Sequence, residues 1–507
     1  MSKPNILLFM VDQLTSFVLN SYSGSVCKTP NIDALAERGT VFENTYCPYP
    51  LCAPSRFGMM SGRLPSRIGA YDNGAEFPAA TPTFAHYLRL NGYYTCISGK
   101  MHFVGPDQYH GYEERLTTEI YPADMSWTPA PDFRDFDKDD ERGYTFGVST
   151  IDTVKDAGPV ARSMQIDYDE DVVHQTIREI YNRARSEDKR PFMMTVSLTQ
   201  PHDPYVTTRE YWDMYPDDCI DNPDVPFIPV EKRDTHSQSL FYHYGQDKCE
   251  LSEADYRNAR RGYYGMISFI DELFGQVIKA LNDSGFQDNT VVMFSSDHGD
   301  MIGERGMWFK KTLFNPAIQV PLIISHPKHT SGRVDAPVSL LDIFPTMLDL
   351  AEVKPETITT AIDGRSLMPA MRGKTIEGPV FAEHIDGGTE APRVCVREGN
   401  YKLVLSRAYP PQLYDLASDP LELNNLAGEN HPEEVRLSQL AESTWPLDTL
   451  LDDVIRSQSE RKLVDAALSV GRQEQWDFVP QSQGSNYVRR GDAFPTVERR
   501  GYLPYSD

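Results

Sequence analysis

The chain has 507 residues, with 74 Asp and Glu against 49 Lys and Arg, a formal net charge of −25. That length exceeds what one hydrophobic core commonly serves, so a large domain with a smaller companion is expected. The acidic balance argues against nucleic acid as a partner, and any site for an anionic substrate must bring its own local cations.

Ile6 to Val11 is a continuous apolar run, the pattern of a central strand buried on both faces, and Asp12-Gln13 follow it directly. The start "MSKPNILLFMVDQ" carries no signal peptide, and its six apolar residues are too few for a membrane span, so a cytoplasmic protein off the membrane is expected. Seven cysteines at 27, 47, 52, 96, 219, 249 and 395 form no CxxC pair and no framework, which fits a reducing compartment. Thr29-Pro30 opens a short helix that ends at Gly39. In "LCAPSRFGMMSGR", Leu51–Arg63, a loop turns into a helix with Cys52 at the junction.

A helix around Thr83–Asn91 leads through Gly92 to a strand at Tyr94–Ser98, and "SGKMH" follows. Residues two apart in an extended segment project to one side, so Lys100 and His102 face one pocket, a cation to hold an anion and an imidazole to move a proton. A helix near Asp171–Arg185 precedes the strand Phe192–Leu198, and His202 follows in the stiff loop "QPHDPY". Ser252–Asp255 resembles a capping box, and Met266, Ile270, Leu273, Val277 and Leu281 then repeat at helical spacing. The strand Thr290–Phe294 ends near Asp297-His298, and Lys310 lies shortly after in "WFKKT", beside a Lys311 that reads as a surface charge. Val320–Ser325 reads as a strand and Leu340–Ala351 as a helix.

This alternation predicts an α/β domain over 1–375 with a largely parallel sheet between helices. Ligands bind at the carboxyl ends of such strands, so Asp12, Asp297 and His298 are candidates to converge on a divalent cation, the alternative being that each Asp only begins a turn. Carboxylate oxygens with one imidazole suit Ca²⁺, Mg²⁺ or Mn²⁺. Past 375 the short strands Val380–His384, Val394–Arg397 and Tyr401–Ser406 predict a small antiparallel subdomain over 376–446. Residues 447–480 read as helical. Tyr487, Phe494, Tyr502 and Tyr505 suit a tail over 447–507 that clasps a neighbour, giving a homodimer or homotetramer.

Cys52-x-Pro54-Ser55-Arg56, with Gly62-Arg63 at its far end, resembles the signature by which sulfatases are recognised for conversion of cysteine to formylglycine. Asp12-Gln13, "GKMH", "PHDPY" and "SSDHGD" occur in the order and approximate spacing of that family, over about 450 residues. "SWTP", "HDPY", "SDHGDMIGERGMWFK" and "SQSERKLVDAAL…WDF" look like the choline-sulfatase group. The resemblance implies an alkaline-phosphatase-like fold and hydrolysis of a sulfate monoester, choline sulfate first. Its nucleophile would be the hydrate of a formylglycine made from Cys52 by a formylglycine-generating enzyme. A hydrated aldehyde keeps a second hydroxyl, whose deprotonation expels sulfate and restores the aldehyde, where a serine would be left as a stable alkyl sulfate.

By match to the motifs, Asp12, Asp297, His298 and the modified Cys52 hold the metal, Ca²⁺ favoured, and Arg56 holds the nucleophile. Lys100 and Lys310 neutralise the sulfate, His202 with Lys310 protonates the leaving alcohol, and His102 is the base for the final elimination. Asn73 resembles a substrate-contacting asparagine, Trp127 is the candidate face for a quaternary ammonium, and Gln13 stands at the edge of the site, where its amide could contact the substrate or coordinate the metal. Segments 130–165 and 384–392 depart from the choline-sulfatase pattern, and leaving-group selectivity is expected there. The alternatives are an aryl or other alkyl sulfatase, a phosphonate monoester or phosphodiester hydrolase of the same fold, and a non-catalytic binding protein.

Overall fold

The computed structural model of the chain describes residues 3–24, 26–129, 149–329, 331–428 and 430–479. Its main sheet has eight strands: β1 (Asn5–Val11), β2 (Thr40–Phe42), β3 (Tyr94–Gly99), β4 (Glu114–Arg115), β5 (Phe192–Ser197), β6 (Thr290–Ser296), β7 (Leu322–Ser325) and β8 (Gly332–Val334). They lie in the order β8-β2-β7-β6-β1-β5-β3-β4. The five strands from β6 to β4 run parallel, while β7 is antiparallel to both its neighbours. The sheet is therefore mixed and mostly parallel.

Every residue of β1 is buried, which is why its sequence shows no polar alternation. Successive side chains point to opposite faces. Leu7, Phe9 and Val11 join one core with α1 (Pro30–Arg38), α4 (Met164–Arg185) and α5 (Glu253–Asp283). Ile6, Leu8 and Met10 join the other, with α2 (Cys52–Ser61), α3 (Phe84–Leu90) and α6 (Ile343–Leu350). Helices thus cover both faces.

Several boundaries differ from those read in the sequence. α4 begins at Met164 rather than Asp171, because the Ser163 hydroxyl caps it by accepting the Ile166 N–H at 3.2 Å. The run Val320–Ser325 divides at Pro321: Gln319–Val320 joins a three-stranded ribbon and only β7 enters the main sheet. Proline has no N–H with which to continue a ladder. The helix expected over 447–480 stops at Leu468, and Gly471 turns the chain with φ +81°.

The small sheet holds β9 (Val380–His384), β10 (Arg393–Glu398), β11 (Tyr401–Ser406) and β12 (Gln412–Asp415), antiparallel in sequence order. α7 (Pro432–Thr444) and α8 (Leu447–Leu468) follow. Val394, Val396, Leu403, Leu413, Leu437 and Trp445 share a core with Tyr49 and Leu51, so the small unit supports the loop that enters α2. The tail aromatics Tyr487, Phe494, Tyr502 and Tyr505 lie outside the described residues. No described helix is long and apolar enough to cross a membrane.

Candidate active site

Register brings the strand ends level. Val11 pairs with Ser296, Met10 with Ser197 and Gly99 with Ser197, so Asp12, Asp297, Lys100 and the loop after β5 leave the sheet together. Gly99 makes this possible: its φ is +103°, and a Cβ there would lie 1.9 Å from the Ser197 carbonyl oxygen. Cys52 is the first residue of α2, all of whose residues are buried. Leu51 has no side chain to cap that helix, and the Asn73 Oδ1 accepts the Ala53 N–H at 3.0 Å in its place. The Asn73 amide oxygen is thereby committed, leaving the NH₂ without a hydrogen bond among the described residues.

Asp12, Cys52, Asp297 and His298 each offer one ligand atom, all within 4.8 Å of one another and all buried. The His298 Nε2 is 3.2 Å from the Cys52 Sγ, 3.7 Å from the Asp12 Oδ1 and 3.8 Å from the Asp297 Oδ1. Its Nδ1 faces the Gly299 carbonyl at 3.0 Å, which places the proton there and leaves Nε2 free to ligate. Burial pushes the His298 imidazole down, keeping it in the neutral form a metal needs. Two buried carboxylates turned toward one neutral imidazole fit a hard divalent cation.

Arg56 braces these ligands from behind. Its Nε donates to the Asp297 Oδ2 at 2.7 Å and an Nη donates to the Asp12 Oδ2 at 3.1 Å. The other Nη reaches the Lys100 carbonyl at 2.6 Å and the Ser197 hydroxyl at 2.8 Å. Lys100 pairs with Asp12 and lies 4.1 Å from the Tyr121 ring centre. Burial works to raise the Asp12 pKa, but Lys100, His202, Arg56 and His298 outweigh it and hold the carboxyl well below its usual range.

Lys310 donates to the Gln13 Oε1 and stands 2.5 Å from the His202 Nε2. Burial opposes its charge, yet Cys52, Asp203, Asp12 and Asp297 outweigh burial and raise its pKa, so it is an ammonium. The His202 Nδ1 faces the Asp203 carbonyl at 2.7 Å, so its Nε2 accepts from Lys310. The proton of this pair therefore rests on Lys310. His102 is the opposite case. Both its ring nitrogens are buried without a hydrogen-bond partner among the described residues, in a cup formed by Tyr121 at 5.2 Å and Trp127 at 5.4 Å. Burial first, then Lys100 and Arg56, hold its pKa well below normal, so it is neutral and free to take a proton.

Eleven of the twelve residues singled out in the sequence each contact another of the set, and Asn73 joins them through the Ala53 N–H beside Cys52. Gln13 is more deeply engaged than an edge position implies. Its Nε2 donates to the Asp300 Oδ2 at 2.6 Å and the Asp203 Oδ1 at 3.1 Å, and its φ is +67°. Lys311 is not a surface charge: it pairs with the buried Asp386 at 2.8 Å and approaches the His243 Nε2 at 3.2 Å. Sequence reasoning missed Asp203, Asp300, Tyr121 and Asp386. The first two stand inside the quoted "PHDPY" and "SDHGD" stretches, a usable signal, and Asp386 lies in the segment 384–392 where selectivity is expected.

Buried lysines, a cysteine at a helix start and a cluster that could hold a cation are together suited to hold a tetrahedral anion, shield its charge and exchange one of its ester bonds. That makes the protein a hydrolase of an anionic ester. Residues 4–353 match the sulfatase family model, and the chain belongs to the sulfatase family; it is a sulfuric ester hydrolase. Residues 303–446 also match the model of the N-sulphoglucosamine sulphohydrolase C-terminal region, and residues 452–501 that of the choline sulfatase C terminus. The chain is 41% identical to the choline-sulfatase of Rhizobium meliloti over 99% of both chains. It is 29% identical to an arylsulfatase of Clostridium perfringens, over 85% of this chain and 92% of that one. The phosphonate monoester hydrolase structure from Silicibacter pomeroyi superposes with a TM-score of 0.70 at 22% identity, covering 95% of this chain and all of that one, which speaks for the fold alone.

Proposed function

We propose that the substrate is choline sulfate, hydrolysed to choline and sulfate with a formylglycine derived from Cys52 and one divalent cation, Ca²⁺ by preference. The observation that carries this reading is the 41% identity to a choline-sulfatase along the whole chain, through the C-terminal segment as well as the catalytic domain. Asp12, Asp297, His298 and residue 52 would hold the cation. When present, the aldehyde hydrate supplies a nucleophilic hydroxyl and a second hydroxyl that lets sulfate leave, and the cation favours the ionised form of the first.

The remaining work falls to side chains. Arg56 keeps the two carboxylates turned to the cation, and Lys100 and Lys310 balance the sulfate oxygens. Lys310, the protonated member of the pair, gives a proton to the departing alcohol, its ammonium held in place by the His202 Nε2 lone pair 2.5 Å away. His102, neutral and without a hydrogen bond among the described residues, takes the proton that the elimination releases. The NH₂ of Asn73 is available to a substrate oxygen. Tyr121 and Trp127, with ring centres 5.1 Å apart, offer aromatic faces to a quaternary ammonium, and the net charge of −25 does not repel it. Pro54, Ser55 and Arg56 are buried, so the maturing enzyme would read them before the chain folds.

Rates on choline sulfate, 4-nitrophenyl sulfate and a phenylphosphonate monoester test the reading. We expect the highest kcat/KM on choline sulfate, and an aryl sulfate turned over as well would sink the choline assignment. Peptide mass spectrometry across residues 47–63 of protein from its host tests the nucleophile, and an unmodified cysteine throughout would remove it. A homo-oligomer is also part of this reading, supported by Leu463 on α8 and Val470 beyond it, 72% and 78% exposed. Deleting residues after 480 should then lower the mass seen in sedimentation.

A further inference from the structure

α8 lies outside the stretch matched by the sulfatase model, yet one of its side chains reaches the loops that border the nucleophile. Arg461 is 7% exposed. Its two Nη atoms donate to the two oxygens of Asp72, each at 2.7 Å, and one of them also donates to the Thr128 hydroxyl at 2.8 Å. Asp72 precedes Asn73, and Thr128 follows Trp127. A single guanidinium therefore joins the two loops that carry the candidate substrate contacts.

The loops have little freedom to satisfy this contact in another way. The Tyr49 hydroxyl donates to the Tyr71 carbonyl at 2.6 Å, fixing the loop just before Asp72. The Asp72 Oδ1 also accepts the Gly74 N–H at 2.9 Å. Gly74 is pressed against the second loop so closely that a Cβ would fall 2.3 Å from the Thr128 nitrogen. Between these points, Asn73 holds the start of α2 through the Ala53 N–H at 3.0 Å. On the other branch, the Trp127 ring meets the ring of the base His102 edge-on at 5.4 Å.

We propose that Arg461 is a positioning residue for sulfate-ester hydrolysis: through Asp72 it sets Asn73 and the N-terminus of α2 that presents Cys52, and through Thr128 it sets Trp127 against His102. The C-terminal helix is thereby part of the active-site framework and not only an appendage of the fold. The planar fork of Arg461 is what meets both Asp72 oxygens at once; a lysine can offer its charge but not that geometry. The proposal rests on sulfate-ester chemistry and is independent of choline as the leaving group.

The test uses Arg461→Ala, Arg461→Lys, Asp72→Asn and the double variant Arg461→Ala/Asp72→Asn in the full-length enzyme. Rates are normalised to the formylglycine content found by peptide mass spectrometry and measured on choline sulfate and 4-nitrophenyl sulfate. A displacement of about 1 Å at a reacting group can cost about a hundredfold in rate, so Arg461→Ala should lose kcat on that scale. Arg461→Lys should lose about tenfold, because one of the two Asp72 contacts goes. The double variant should be no slower than the slower single variant, since both remove one link. Added guanidinium ion should restore part of the kcat of Arg461→Ala, which loss of folded protein would not allow. Arg456→Ala, on the exposed side of α8, should retain wild-type rates. If Arg461→Ala folds, carries formylglycine and keeps kcat within about twofold on both substrates, the proposal is overturned. If it does not fold, Arg461→Lys decides: a wild-type kcat there overturns it equally. Wild-type activity on the aryl but not the choline ester would end the choline reading and leave this test intact.

Discussion

Replacing Gln13 by glutamate keeps its shape and removes one function, the donation of two N–H groups. In the wild type these go to Asp300 at 2.6 Å and Asp203 at 3.1 Å, both buried. A hydrogen bond to a charged partner contributes about 1.5–3 kcal/mol, so losing both costs about 3–6 kcal/mol. The new carboxylate attracts Lys310 more strongly than the amide oxygen does, which offsets part of the loss. A net destabilisation of about 2–4 kcal/mol is expected at pH 8. Equilibrium urea unfolding followed by tryptophan fluorescence reads this directly. Activity should fall through kcat, because Lys310 is drawn away from its place beside His202, with KM changed little. Stability within about 0.5 kcal/mol of wild type together with a raised KM would refute the reasoning and return Gln13 to a substrate contact.

Lys310→Met should lower kcat/KM on choline sulfate by about 10²–10⁴-fold, the usual weight of a proton donor, and much less on 4-nitrophenyl sulfate, whose leaving group needs no proton. Equal losses on the two esters would remove Lys310 as the acid. Dialysis against a chelator should lower the melting temperature, since Asp12 and Asp297 then face each other without their cation, and Ca²⁺ should restore it. An unchanged melting temperature would count against the metal site. Burial pushes Glu383, which accepts from Ser66 and the Trp445 indole, up to about 7. The folded state therefore keeps a proton that the unfolded chain has lost, and stability falls as pH rises from about 4.5 to about 7. Glu383→Gln has no such proton, so its stability should fall less steeply across that window, by up to about 1.4 kcal/mol per pH unit. Parallel curves from urea unfolding at pH 5 and pH 7 would show that Glu383 does not titrate there.

The candidate site residues were legible because most of them follow strands. An apolar run such as Ile6–Val11 declares a buried strand, and in a parallel sheet the next residue is at the functional edge. Asp12, Lys100 and Asp297 obey that rule, His202 stands in the loop beyond β5, and Cys52 carried a specific motif. Helix boundaries were less legible where a cap or a proline intervened, as at Ser163 and Pro321.

What the sequence by itself determined was therefore the class of fold and a set of candidate site residues, since strand periodicity and local motifs are properties of neighbouring residues. Only the tertiary structure decided how those groups are held. Arg56 reaches four partners on four separate segments, Gln13 links residues 190 and 287 positions away, and Arg461 closes on Asp72 across 389 positions. Such pairings depend on the packing of distant elements, and no local pattern distinguishes Arg461 from the solvated Arg456 of its own helix. The same packing fixes which histidine is neutral and which lysine keeps its proton, because burial and facing charges set those states.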